Sequence, residues 1–432
     1  MIGLSALAAA AIYTLRNKHR SSNVPIVTVP AEHATLEFIA ERLYTINGNP
    51  PTNVWGPFSG LQKARDGYVR IHDNFLNHQN AALASLGLPE NVTREDVARA
   101  CAEWKAVDLE DEAFRRKGVI AALRRCEEWD ETKQGMAVLE YPVRLRKVKE
   151  GATYLSARMG SGGDRCLSGL RVLEFSRVIA GPVAGKTLAA HGAEILWVTS
   201  PKLPDLPALD REFSKGKRTV QLDLTSTADK QRLLNLAKDA DVFINGYRPG
   251  GLSNLGFSEA ELHKLNPNII VANLSAYGPE GPWANNRGFD SLVQTCSGMN
   301  VSEAEHYGAG EPARPTPCQV LDHGAGFLLA TGIIAAVYKR AIEGGSWAVD
   351  VSLAGVMKYL RTLGQYDGKS GFEGEEFVNW RDREYLEKYL DSKPGSLGHM
   401  EFLRHSASVE WAMPGWDLMP KPLGSDAAVW LS

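Results

Sequence analysis

The sequence predicts an α/β protein, with helices covering both faces of an open parallel sheet and a smaller α+β module ahead of it. Three observations carry that expectation. From Gly169 onward, short β-rich runs alternate with helical stretches. Residues 45–165 have a different texture, with charge-interleaved helical spacing around a strand. Segments 6–39 and 329–360 run through the same succession of apolar helix, basic turn, short strand and second helix.

The bulk properties agree. A chain of 432 residues with 44% hydrophobic and 23% charged residues has the make-up of a soluble protein of two or three domains. A net charge of −3 offers no general basic surface to nucleic acid. Five scattered cysteines, without CxxC or metal spacing, fit free thiols in a reducing compartment and give no metal site. A cytoplasmic place is expected, with mitochondrion or peroxisome as the alternatives.

The opening "MIGLSALAAAAIYTL" is apolar and is followed by "RNKHR". A signal peptide would carry its positive charge first and a membrane span would be longer, so a packed helix without stable membrane insertion is expected. Ala-Ala-Ile-Tyr at 10–13 matches Ala-Ala-Val-Tyr at 335–338, and Val27 and Val29 match Val349 and Val351, as in a partial duplication. Next, "DGYVRIHDNF" (66–75) alternates as a strand, "TREDVARACAEW" (93–104) has a Thr cap with acids in its first turn, and 109–129 shows helical spacing. "GSGGDRCLSG" (160–169) marks a linker.

Strands follow at 171–176, 193–199, 218–224, 240–246 and 268–275, with helices at 182–192, after Ser226 or Thr227, and at 258–265. The last 67 residues, rich in Trp, Gly, Pro and charge, are expected to be an irregular tail.

Several turns hold candidate chemistry. "SRVIAGPVAG" (176–185) lacks G-x-G-x-x-G, and Pro182 removes an amide where a phosphate would sit, so a tightly cradled dinucleotide is not expected. Lys215, Lys217 and Arg218 could hold phosphates or form a solvated turn. Pro249, Gly250 and Gly251 form a turn that brings Tyr247 to the sheet edge. Asp290 could cap a helix or act chemically. Asp322 lies between Val320-Leu321 and a long apolar run, where a carboxylate must be paired, capping or reacting. Gly324 and Gly326 would let a ligand approach the backbone, and His323 is expected to be structural.

In this order, "RVLEFSRVIAGPVAGKTLAAHGAEI", "GKRTVQLDL", "ADVFINGYRPGGLSNLGFS", "LSAYGPEGPWANNRGFDSLVQTCSG" and "CQVLDHGAGFLLATGIIAAVYKR" resemble the family III (CaiB/BaiF-type) CoA-transferases over 169–360. The resemblance implies a partial repeat of the CoA-transferase core at 1–44 and a small α+β domain at 45–165. It also implies a Rossmann-like CoA-binding catalytic domain at 166–365 and an irregular C-terminal tail at 366–432. A homodimer of interlocked chains is implied too.

The implied activity transfers CoA between an acyl-CoA thioester and a carboxylic acid through an aspartyl-CoA thioester on Asp322, with coenzyme A as substrate thioester and no metal. Gly324 and Gly326 would supply oxyanion amides. CoA contacts carry over to Arg177, Val178, Ile179 and Ala180 in the first loop, to Leu222, Gly246 and Tyr247 around adenine, and to Leu255, Arg287, Gly288 and Phe289 along the pantetheine arm. Thr199-Ser200, Ile179 and Ser214 depart from the family's common residues. Two other readings stay open. One is the family's racemase branch, exchanging a proton beside an acyl-CoA carbonyl with Asp290 and a histidine such as His263. The other is a CoA-binding protein without catalysis.

Overall fold

The computed structural model describes residues 1–17, 23–160, 163–373 and 382–431. Its centre is a seven-stranded sheet ordered Val143–Lys149, Ser346–Ser352, Ile270–Ser275, Val242–Asn245, Arg171–Phe175, Glu194–Thr199, Lys217–Gln221. Six strands run parallel, and Val143–Lys149 pairs antiparallel to Ser346–Ser352 at one edge. The order reverses beside Arg171–Phe175, whose neighbours are Glu194–Thr199 and Val242–Asn245, so a crevice opens at the carboxyl ends of these strands.

The inner strands are mostly apolar because both sheet faces are covered, whereas the edge strands Val143–Lys149 and Lys217–Gln221 carry several charges. On one face, Phe243 and Val271 pack with Leu233 and Leu236 of the Thr227–Lys238 helix and Leu262 of the Glu259–Leu265 helix. On the other lie the Ala180–Ala190 helix and the 24-residue Val320–Glu343 helix, with Ile2–Arg16 packed against the latter. Val320–Glu343 is long and apolar enough to cross a bilayer, yet most of it is buried in the protein. Its glycines permit close approach: a Cβ on Gly326 would sit 2.6 Å from the Ala180 carbonyl, and one on Gly332 2.6 Å from Val349 Cγ1.

Ahead of the sheet, antiparallel strands Gly60–Lys63, Tyr68–Ile71 and Ile120–Ala122 carry helices Leu76–Leu86, Arg94–Ala102 and Ala106–Arg115 around their own core. Thr93 caps Arg94–Ala102 in a reciprocal box with Asp96. The helical spacing expected over 109–129 is interrupted: the helix ends at Arg115, Lys117 takes φ 60°, and a strand and the short Cys126–Asp130 helix follow. Apolar residues there alternate between two cores, which spacing alone does not separate. Within 45–165, Val143–Lys149 joins the edge of the main sheet. Of the expected linker, 161–162 lie outside the described residues, and Cys166 and Leu167 are buried.

The expected irregular tail contains a hairpin, Leu390–Gly395 with Gly398–Leu403, whose second strand pairs with Thr45–Ile46. Ser408–Val409 pairs with Val27–Thr28. The tail is therefore more regular than its composition implies, because residues near the opposite end of the chain supply its pairing partners. Glu37 locks the same two regions together, accepting from His405 Nδ1 at 2.8 Å and from the Ser406 amide at 2.9 Å.

Candidate functional site

A cavity of about 460 Å³ lies at the carboxyl ends of the parallel strands. The loop after Arg171–Phe175 supplies Arg177, Val178, Ile179 and Ala180. Leu222 follows the Lys217–Gln221 strand, and Gly246 and Tyr247 follow Val242–Asn245. Leu255, Arg287, Gly288 and Phe289 complete the same lining, so all eleven residues expected to contact CoA face one space. Asp322 is in its wall as well.

The cationic side differs from the expectation. Lys215 and Lys217 are fully buried, pairing with Glu212 at 2.9 Å and Glu174 at 2.8 Å, and Arg218 is engaged by Glu194 and the tail carbonyls of Ala427 and Val429. They are structural ion pairs under the sheet edge and line no part of this cavity. Lys202, Arg248 and Arg287 stand in its wall with Arg177. Arg177 lies 4.3 Å over the Phe75 ring, which ties the first loop to the α+β module.

A second cavity of about 300 Å³ shares Val178, Ile179, Phe289 and Asp322 with the first. Asp322 thus lies where the two meet. The second is walled by loop residues 50–55, His72, Asp290 and Leu209 of the Pro207–Phe213 helix. Arg70 bonds Thr295 at 3.0 Å and His72 Nδ1 lies 3.0 Å from Ser291 Oγ, so contacts with the Asp290–Cys296 helix seat the α+β module here. His72 stacks on Phe289 with centroids 4.0 Å apart.

Asp322 occupies the first turn of Val320–Glu343, whose N-cap is Gln319. Asp322 therefore does not cap that helix. Asp290 does: its Oδ2 accepts from the Leu321 amide at 2.7 Å and the Asp322 amide at 3.1 Å, while Gln294 donates to its other oxygen. Both carboxyls are buried. Burial, then the Asp290 and Glu41 charges, raises the Asp322 carboxyl well above the usual range. Burial also lifts Asp290 to about 6, against the opposing hydrogen bonds from the Asp322 and Leu321 amides and Gln294.

Gly324 and Gly326 do not face either cavity. Their Cβ positions point at Met1 and Val356, and at Ala180 and Val183, which fits helix packing, and both lie past the first turn of the Val320–Glu343 helix, where amides are taken by the carbonyls four residues back, so an oxyanion role loses its geometric basis. His323 is buried with Nε2 3.3 Å from Glu41 Oε2. His263 sits on the Glu259–Leu265 helix and lines neither cavity, so it cannot partner Asp290.

Sequence reasoning missed Phe75, His78 and Lys202 in the first cavity, and Trp55 and His72 in the second. The cluster "HDNFLNH" (72–78), with two histidines and two asparagines just after a strand, was the available signal. Among the described residues, no group of three His, Cys, Asp or Glu is placed to hold a metal.

A sequence model of CoA-transferase family III matches residues 167–377. An acetyl-coenzyme A transferase of Hypoxylon pulicicidum is 28% identical over 81% of this chain and 65% of its own length. An acyl-CoA transferase of Gibberella moniliformis is 34% identical over 66% of this chain and 53% of its own. A protein of Mycobacterium tuberculosis named "probable fatty acyl-CoA transferase" is 36% identical over 43% of this chain and 50% of its own. The chain spans about half to two thirds of the length of these relatives.

Proposed function

We propose that this chain, whose residues 167–377 match a sequence model of CoA-transferase family III, moves CoA from an acyl-CoA thioester to a carboxylic acid through an aspartyl-CoA thioester on Asp322. What supports this reading is a single placement: Asp322 borders both the cavity at the strand ends and the second cavity beyond it. The CoA arm occupies the first, with its phosphates facing Lys202, Arg248 and Arg287, and the acyl group passes Asp322 into the second.

In the first step the Asp322 carboxylate attacks the thioester carbonyl. The C–S bond breaks, leaving a mixed anhydride and CoA thiolate. The thiolate attacks the Asp322 carbonyl carbon and expels the donor carboxylate, which leaves the aspartyl-CoA thioester. An acceptor carboxylate reverses the two steps and departs as the new acyl-CoA. One thioester replaces another, so little net driving force is needed, and covalent capture divides the transfer into easier steps. Burial keeps water from the anhydride. The first-turn amides of Ala180 and Gly181, in the cavity wall, are the proposed oxyanion donors in place of Gly324 and Gly326.

The deciding experiment is hydroxylamine trapping after incubation with acyl-CoA, followed by mass spectrometry. The expected result is a hydroxamate on the peptide containing Asp322, absent in Asp322→Asn, which still binds CoA. Unmodified Asp322 alongside sustained turnover would sink the covalent route. The same reading carries a homodimer of interlocked chains, and a single-chain mass in light scattering would remove it.

A further inference from the structure

The second cavity carries information about the acid itself. Its volume of about 300 Å³ is far more than a one- or two-carbon acyl group fills, and corresponds to roughly ten waters of liquid. The apolar part of the wall beyond Asp322 is made by Pro50, Pro51, Val54 and Trp55 on the loop and by Leu209, with Thr52, Asn53, Asn74, Ser291 and Gln319 as neutral polar neighbours. Trp55 meets His72 edge-on at 5.6 Å, and His72 stacks on Phe289, so one wall is a continuous aromatic surface. Burial, followed by the His78 and Arg70 charges, lowers His72 to about 3, so that wall is uncharged at ordinary pH.

The charges present select against a second carboxylate. Arg42 is the cationic side chain in the lining, and it is already engaged: its Nη1 donates to the Pro317 carbonyl at 2.9 Å and its Nε lies 3.3 Å from Glu41. Glu41 and Asp290 share the lining with Asp322, so a dicarboxylate would bring another negative charge among acids.

We propose that this cavity takes the acyl body of a monocarboxylic acid of roughly six to ten carbons, its apolar tail against Trp55, the His72–Phe289 pair and Leu209. The assignment rests on the transferase reading for the position of the thioester carbon at Asp322. Formyl- or oxalyl-sized groups would leave most of the space unfilled, and succinyl-type groups would set a second carboxylate beside Asp290 and Asp322 while Arg42 is already engaged.

The test is calorimetric binding of non-transferable thioether analogues of acetyl-, hexanoyl- and succinyl-CoA to the full chain. The hexanoyl analogue is expected to bind at least about ten-fold tighter than the acetyl analogue, since four more methylenes leave water. Leu209→Trp, and separately the loop variant Val54→Trp, should each bring that ratio to within about two-fold by filling the cavity. Equal affinity for the acetyl and hexanoyl analogues, or tighter binding of the succinyl analogue, overturns the assignment. Turnover is measured separately. A chain that favours the hexanoyl analogue but exchanges no CoA keeps this inference and loses the transferase reading. A chain that exchanges CoA but ignores tail length does the reverse.

Discussion

At the scale of single residues, the site is governed by two buried carboxyls that cannot both ionise cheaply. The proposed attack would require the Asp322 anion, yet burial and the neighbouring acids hold this group protonated beyond the usual carboxylate range. Transfer should therefore accelerate as pH rises, and Asp290→Asn, which removes one of those charges, should move the profile toward acid in a pH–kcat/KM measurement. Stability responds in the opposite sense. Asp290 has a folded value raised to about 6, so its contribution is complete below its ordinary value of 3.8 and is lost as pH rises through 6. Denaturant titrations of Asp290→Asn should show a flatter dependence across that window. Val178, in the wall of both cavities, takes φ 70°, which strains a β-branched residue. Val178→Gly should gain about 1 kcal/mol in urea unfolding while loosening the shared wall and lowering kcat. The identity of Asp322 as a misplaced acid was legible in the sequence. Which helix Asp290 caps was not, because the amides that donate to it lie on a helix that begins thirty residues later in the chain.

At the scale of elements, the contact between Ala180–Ala190 and Val320–Glu343 sets where Asp322 stands. Gly326 is a point of close approach, and a methyl there would meet both the Ala180 carbonyl and Val183 Cβ at 2.6 Å. Neither partner is the end of a flexible chain. Gly326→Ala should destabilise by about 1–3 kcal/mol in thermal or denaturant unfolding and shift Asp322 relative to the first loop, so CoA binding should weaken with it. Alternation of strand and helix from Gly169 onward was readable, because each element meets only sheet or helix and keeps one period. The 109–129 stretch was not, since its apolar residues serve a helix, a strand and a second short helix in turn.

At the scale of the whole molecule, segments near the two ends of the chain pair with each other. Val27–Thr28 pairs with Ser408–Val409, Thr45–Ile46 pairs with the 398–403 strand, and Glu37 is buried against His405 and Ser406. Burial alone would raise Glu37, but the His405 charge and hydrogen bond, followed by Lys186 and Ser406, hold it below the usual range. Its contribution is therefore present above its ordinary value of 4.5 and is lost as pH falls. Glu37→Ala should cost about 3 kcal/mol at neutral pH and remove much of the acid sensitivity, read from unfolding curves at several pH values.

The sequence by itself determined the parallel sheet, the turns that meet at its carboxyl ends and the acid at 322, because those follow from short-range period and from motifs contiguous in the chain. Only the tertiary structure decided which lysines are buried in ion pairs, that Asp290 caps a distant helix, and that the α+β module closes a second cavity with Trp55 and His72. Each of those outcomes depends on groups far apart along the chain meeting in a low-dielectric interior, and no local pattern of residues encodes such a meeting.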